Sequence, residues 1–190
     1  QMEIDINNGL PGFEIVGLAD TSVKESKERV RSAIKNSGFK LSPKKITVNL
    51  APASIKKEGA VYDLGIAAGV LYATEQLECP DIADYIFLGE LSLDGKLRHI
   101  RGLMPILISA RGKGYKKIIV PYANANEASY NDGIEVYAFE TLREVINFLN
   151  KSVECSPVES RKIMLGSVGK YKEDLKYEKG QYVAKRALEI

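Results

Sequence analysis

Residues 13–38, FEIVGLADTSVKESKERVRSAIKNSG, contain the change from strand to helix that decides the fold. Residues 13–18 are mostly apolar, with the composition of a strand. Ser22 and Glu25 have the spacing of a capping box, which marks the beginning of a helix. The pattern therefore predicts a strand followed directly by a helix over about residues 21–37, with Glu25 and Arg29 placed for an ion pair four residues apart.

The same patterns predict further elements on both sides of this stretch. Strands are predicted at 2–6, 46–50, 85–93, 96–100, 117–120 and 135–138, and helices at 64–73, 103–111, 124–129 and 141–150. Asn8-Gly9 and Asp94-Gly95 are hairpin signals, the second of the type I′ kind. Because strands and helices do not alternate strictly, the sequence favours the α+β class over a doubly wound parallel sheet.

The amino-acid composition is typical of an ordinary globular protein. Of 190 residues, 45% are hydrophobic and 27% are charged, and no apolar run is long enough for a membrane span. Two cysteines, Cys79 and Cys155, are too few for a disulfide framework, and the first residues do not look like a signal peptide. We therefore expect a cytoplasmic protein that does not associate with membranes.

The formal net charge of +2 conceals an uneven distribution. Residues 24–57 contain ten basic and two acidic residues, so this segment carries +8 and the remainder of the chain −6. A block of one sign can steer a polyanion to the protein, or it can be an ordinary solvated surface. Composition alone leaves both interpretations open.

Residues capable of catalysis are scarce. His99 is the only histidine, which excludes a multi-histidine metal site. The stretch 89–96, GELSLDGK, approaches a Walker A loop but has five residues between its glycines, and Leu97 replaces the hydroxyl residue that holds magnesium. The sequence contains neither G-x-G-x-x-G nor G-x-S-x-G, so the 190 residues predict no nucleotide hydrolysis.

Several long stretches resemble one known family. They are residues 9–20 (GLPGFEIVGLAD), 23–31 (VKESKERVR), 46–53 (ITVNLAPA), 87–95 (FLGELSLDG) and 120–128 (VPYANANEA). All are similar to segments of the ComM/YifB family of competence-related, magnesium-chelatase-like AAA+ ATPases. One departure is Ala19, where that family usually has proline.

The resemblance implies an organisation in three parts. Residues 1–151 are expected to form a Lon protease-like domain of the ribosomal protein S5 domain 2-like fold, with a strand or two preceding Gln1. Residues 152–177 are expected to be a linker. Residues 178–190 resemble the beginning of an AAA+ ATPase domain that is truncated before its Walker A loop, so ATP and Mg²⁺ are expected in that module and no cofactor in this fragment.

The resemblance also bears on peptidase chemistry. Residues 57–63 are similar to the segment that carries the Lon nucleophile, with Val61 at the serine position, and residues 101–106 to the segment with the catalytic lysine, where Met104 stands. Neither side chain can attack a carbonyl or take a proton, so the resemblance implies a non-catalytic domain. A Lon-type peptidase with a displaced nucleophile, Ser54 or Ser92, and a chelatase-like protein-remodelling subunit are the alternatives.

The family resemblance turns the basic segment into a candidate DNA contact. Relatives of this kind imply a hexameric, ATP-dependent helicase or branch-migration motor in transformation or recombination, in which this domain serves assembly or DNA contact. The candidate residues are Lys24, Lys27, Arg31, Lys44, Lys45, Lys56 and Lys57. We expect them to bind phosphates independently of sequence, and we rank the loop lysines at 44–45 and 56–57 above those of the helix.

Overall fold

A computed structural model of the chain describes residues 2–161 together with 180, 182, 185 and 186. Its strands are β1 (Met2–Asn7), β2 (Gly12–Val16), β3 (Lys45–Leu50), β4 (Tyr85–Phe87), β5 (Glu90–Leu91), β6 (Leu97–Arg98), β7 (Lys117–Pro121) and β8 (Glu135–Phe139). Its α-helices are α1 (Thr21–Asn36), α2 (Asp63–Ala73), α3 (Leu103–Gly112), α4 (Ala125–Ala128) and α5 (Leu142–Leu149). None of the helices in this described part is long and apolar enough to cross a bilayer.

The first sheet has the order β1-β3-β2. β3 is antiparallel to β1 and parallel to β2, so Val48 stands opposite Ile4 on one side and Ile15 on the other. The prediction of a hairpin at Asn8-Gly9 is therefore wrong, because β3 lies between the two strands that this hairpin would join. The parallel pair β2/β3 needs a crossover connection, and α1 supplies it.

The second sheet is parallel, with the order β4-β7-β8. Its central strand contains Ile118 and Ile119, both fully buried. The α+β class is confirmed, as a mixed arrangement in which one three-stranded sheet is entirely parallel.

β5 and β6 form the hairpin that Asp94-Gly95 predicts, but its turn differs from the predicted type. Only Gly95 has a positive φ, +86°, whereas a type I′ turn needs positive φ at both central residues. The loop instead has three residues, and it is closed by hydrogen bonds from the Ser92 amide to the Lys96 carbonyl (2.9 Å) and from the Gly95 amide to the Ser92 carbonyl (3.0 Å).

Helix α2 lies at the centre of the molecule. Its buried apolar side chains are Leu64, Ile66, Ala67, Ala68, Val70 and Leu71. A helix that is apolar on all sides must be covered on all sides, which agrees with the composition of this segment. The inner faces of α1 and of the first sheet belong to the same hydrophobic core, whereas α3 and parts of β7 and β8 enclose a second one.

The chain after α5 returns along the edge of β8. The Val158 amide donates to the Val136 carbonyl (2.7 Å), and the Arg161 amide donates to the Ser129 carbonyl (2.6 Å). We call residues 153–161 the strap. They are the beginning of the predicted linker (152–177), whose residues 162–177 lie outside the described residues, as does most of the predicted AAA+ segment, 178–190.

Candidate functional site

Three of the candidate basic residues lie in one row on α1. Lys24, Lys27 and Arg31 are exposed, and their spacing of three and four residues places them on the same helical face. The buried Val23 and Val30 lie on the adjoining face of α1. We call Lys24, Lys27 and Arg31 the basic row.

The four lysines outside α1 do not form a single patch. Lys44 and Lys45 lie at the beginning of β3, whereas Lys56 and Lys57 follow its end. A strand rises about 3.3 Å per residue, so β3 alone separates its two ends by roughly 17 Å. Lys45 also forms an ion pair with Glu14, Nζ to Oε2, at 3.2 Å.

Lys57 does not occupy the exposed loop position that the sequence predicts. Its side chain is buried, and Nζ donates a hydrogen bond to the Pro52 carbonyl. Its main chain pairs with the loop after β2, because its amide donates to the Leu18 carbonyl (3.2 Å) and its carbonyl accepts from the Asp20 amide (3.1 Å). The expectation of a solvated lysine at 57 is wrong because this segment folds back onto residues 18–20.

Lys56, the neighbouring residue, is exposed. Its Nζ lies 2.7 Å from Glu58 Oε1, and both side chains are more than 60% exposed. The hydrogen bond to Glu58 raises the pKa of Lys56. Such a pair exchanges readily with solvent and contributes little to stability, so Lys56 remains available to a ligand.

The two positions that the Lon resemblance identifies lie against one hydrophobic cluster. Val61 belongs to a short 3-10 turn, Ala60–Tyr62, and its carbonyl accepts from the Gly89 amide at 2.9 Å. Met104 is the second residue of α3. Both side chains are half-buried and pack against the second core, so apolar contact takes the place of a nucleophile and a base.

The serines of the peptidase alternative differ in their surroundings. Ser54 is exposed in the loop after β3. The Ser92 hydroxyl donates to Asp94 Oδ1 within the β5–β6 hairpin, where it fixes the turn. Ser92 is therefore held by the local loop structure.

A buried carboxylate that the sequence patterns do not reveal joins α1 to α2. Asp63 is fully buried and accepts hydrogen bonds from the Ser26 hydroxyl, the Arg29 guanidinium and the Leu91 amide. Arg29 is directed to this carboxylate rather than to Glu25, the partner that helical spacing predicts. The helical spacing identified only the local partner, and nothing in it pointed to position 63.

A second buried polar group holds the beginning of α3. The Asn124 side chain bonds both main-chain groups of Ile100, accepting from its amide (3.0 Å) and donating to its carbonyl (2.8 Å). Glu127 Oε1 accepts from the Met104 amide at 3.2 Å. The only sequence signal for these residues was their place in the family-like stretch 120–128.

An open groove of about 500 Å³ runs between β2 and α1. It is lined by the backbone and side chains of residues 13–16 and by the first two turns of α1. Its charged residues are of both signs: Lys24 and Lys27 on one hand, and Glu14, Glu25 and Glu28 on the other. Two of the three residues of the basic row therefore share this groove with three carboxylates.

Comparison with known proteins identifies the family. Residues 2–124 match the family described as subunit ChlI of Mg-chelatase. The chain is 42% identical over 192 residues to competence protein ComM of Haemophilus influenzae, and 41% identical over 189 residues to the uncharacterized protein YifB of Escherichia coli. Each alignment covers 100% of this chain and 37% of the relative.

A more distant likeness extends to peptidases. Lon protease 2 of Bacillus subtilis is 31% identical over 158 residues, which cover 78% of this chain and 28% of that protein. The chain thus spans about a third of the length of the relatives that it matches. The family match over residues 2–124 and the full-length similarity to ComM and YifB agree: the chain belongs to the ComM/YifB family of magnesium-chelatase-like proteins.

Proposed function

We propose that this chain is a non-catalytic accessory domain of a DNA-acting AAA+ motor and that it contacts DNA phosphates through the basic row. The observation that carries the proposal is the exposed alignment of Lys24, Lys27 and Arg31 on one face of α1. The name of the relative ComM, a competence protein, supports a role in the handling of DNA. Lys44 and Lys56, near the two ends of β3, are also exposed.

The rest of the assignment follows from the family. A Lon-like fold of the ribosomal protein S5 domain 2 type is supported by the 31% identity to a Lon protease. ATP and Mg²⁺ would bind in an AAA+ module outside this domain, and the full-length protein would act as a cytoplasmic ring, as a helicase or branch-migration motor. The absence of a nucleophile and a base at Val61 and Met104 supports a role in assembly or DNA contact.

Phosphate contact of this kind has a measurable signature. Each neutralised phosphate releases counterions, so the logarithm of the binding constant falls with the logarithm of salt concentration by about 0.9 per contact on a duplex and 0.7 on a single strand. Three residues acting together would give a steep salt dependence and little preference for sequence.

The test compares two charge reversals of equal size. Lys24→Glu/Lys27→Glu reverses two of the three charges of the basic row, and Lys113→Glu/Lys116→Glu makes the same change at two exposed positions after α3. Fluorescence anisotropy with a labelled oligonucleotide, over a range of salt concentrations, should show weaker binding and a shallower slope for the first variant only. Equal losses in both variants, or binding that does not depend on salt, would contradict the proposal.

The similarity to Lon protease 2 favours one second candidate, a peptidase with a displaced nucleophile. A fluorogenic peptide and the full-length protein with ATP provide the test. We expect no cleavage above that of Ser54→Ala and Ser92→Ala variants. Cleavage that one of these substitutions abolishes would establish a peptidase instead.

A further inference from the structure

Leu18 has a backbone conformation that leucine rarely adopts. Its φ is +55°, and its side chain is 56% exposed. The left-handed region costs free energy for a residue with a Cβ, and an aliphatic side chain that is more than half exposed gains little from burial. Strain without compensating burial is typical of a residue that acts on a partner.

A double loop holds Leu18 in place. The loop after β2 and the loop after β3 pair through Ala19 and Lys57, and Lys57 Nζ is tied to the Pro52 carbonyl. Ile55, in the second of these loops, is 60% exposed. Two large aliphatic side chains are thus presented to solvent on a support that includes a buried lysine.

This double loop continues directly into the basic row. Asp20 caps α1 by accepting from the Val23 amide (2.8 Å), so Lys24 lies in the first turns beyond Leu18. Val16, 45% exposed, lines the same groove as Lys24 and Lys27. The two loops therefore lie at the N-terminal end of the helix that carries the basic row, where Glu14, Glu25, Glu28 and Glu58 reduce the local positive potential.

We infer that Leu18 and Ile55 contact unpaired bases of the DNA whose phosphates lie along the basic row. This inference rests on the proposed function and specifies the DNA structure that the surface takes. Unpaired bases expose apolar faces that single-strand-binding proteins cover with side chains while cations hold the phosphates. Leucine and isoleucine are among the side chains that proteins insert between the base steps of bent DNA. The combination selects single-stranded or branched DNA over a continuous duplex.

The experiment uses substitutions that keep the backbone. Leu18→Asn removes the apolar side chain and suits a positive φ, because asparagine tolerates this region. Ile55→Ser shortens the second side chain. Leu93→Asn and Ile108→Ser are the matched controls, since Leu93 is 57% and Ile108 is 59% exposed elsewhere on the surface. The probes are a single-stranded oligonucleotide that carries a fluorescent adenine analogue and a duplex of the same sequence.

We expect the Leu18→Asn/Ile55→Ser variant to bind the single strand roughly tenfold more weakly than its control, with an unchanged salt slope, because no phosphate contact is lost. In this variant the fluorescence change of the adenine analogue on binding should also be smaller than in the control. Its affinity for the duplex should stay the same. Urea unfolding of both variants confirms that the fold is kept.

Each contrary result has a distinct meaning. If both variants bind the single strand equally and give the same analogue signal while the basic-row variant does not bind, the bases do not contact Leu18 and Ile55. The inference is then wrong, and the proposed function stands. If the unsubstituted protein binds no DNA, the proposed function itself fails.

Discussion

Arg29 Nε lies 2.7 Å from Asp63 Oδ2, and this ion pair joins the middle of α1 to the first residue of α2. The terminal nitrogen of the same guanidinium lies 3.2 Å from Oδ1, so the contact is bidentate. The hydrogen bond to Asp63 raises the pKa of Arg29. Since Asp63 directly follows the turn that contains Val61, the pair fixes the segment where a Lon peptidase would have its nucleophile.

Substitution of Asp63 should be strongly destabilising. Asp63→Ala leaves the Arg29 charge without its carboxylate partner and the Ser26 hydroxyl without its short hydrogen bond, and breaking a buried pair costs about 3–5 kcal/mol. Urea unfolding followed by circular dichroism measures the change. Glu14→Ala, which breaks the exposed pair with Lys45, is the control and should cost under about 1 kcal/mol. Similar small losses in both variants would contradict a structural role for the buried pair.

Adjacent lysines should differ in their effect on stability. Lys57→Met removes the buried donor to the Pro52 carbonyl, and we expect a loss of about 1–3 kcal/mol. Lys56→Met removes an exposed charge and should change the free energy of unfolding by less than about 0.5 kcal/mol. Thermal unfolding of the two variants measures both losses of stability. Equal losses would mean that Lys57 is solvated, as the sequence predicts.

Stability should decrease at alkaline pH. Burial raises the pKa of the Cys79 thiol from 9.0 to about 11, and burial with the hydrogen bond to Glu135 raises the pKa of the Tyr137 phenol from 10.0 to about 12. The unfolded chain loses these protons first, so the stability they contribute is complete below pH 9.0 and is lost as pH rises to about 12.

Urea unfolding at increasing pH measures this dependence. Cys79→Ala and Tyr137→Phe should each flatten the curve of unfolding free energy against pH, whatever their effect on stability at neutral pH. If neither substitution alters the slope, the folded and unfolded states titrate these groups alike.

The strap can be released by one substitution. Val158→Pro removes the amide that donates to the Val136 carbonyl, whereas Val158→Ala keeps it and serves as the control. Cys155, which packs against the first core and whose thiol pKa is raised by burial, should then react several-fold faster with iodoacetamide. Mass spectrometry locates the modified cysteine. Equal rates in the two variants would show that the hydrogen bond does not hold the strap.

Local sequence patterns predict the helices and strands of this fold well, but they predict the order of the strands in the sheets poorly. Apolar spacing predicts the end of α1 to within one residue, and Asp94-Gly95 correctly marks a hairpin. The capping box at Ser22 and Glu25 is wrong, because Asp20 caps the helix. Asn8-Gly9 fails as a hairpin signal because strand order depends on β3, which lies far along the chain. A turn dipeptide carries no information about a strand inserted between its neighbours.

In the candidate site, too, local patterns predict some features and contacts between distant segments determine the others. Exposure of Lys24, Lys27 and Arg31 follows from helical periodicity. The burial of Lys57 depends on its pairing with Leu18, and the direction of Arg29 depends on Asp63, 34 residues away. Contacts between distant segments override local expectations, and periodicity within a single element does not contain them.

The strap also determines where mechanical load reaches the domain. Tension transmitted along the chain from beyond Arg161 first meets the bonds from Arg161 to Ser129 and from Ser160 to Asn131, at the turn after α4. That turn follows Asn124 and Glu127 along the chain. The side chains of these two residues form hydrogen bonds to the main chain of Ile100 and of Met104, at the beginning of α3. Pulling therefore loads the Met104 end of the fold, whereas the face that bears the basic row lies on a different helix, packed into the other core.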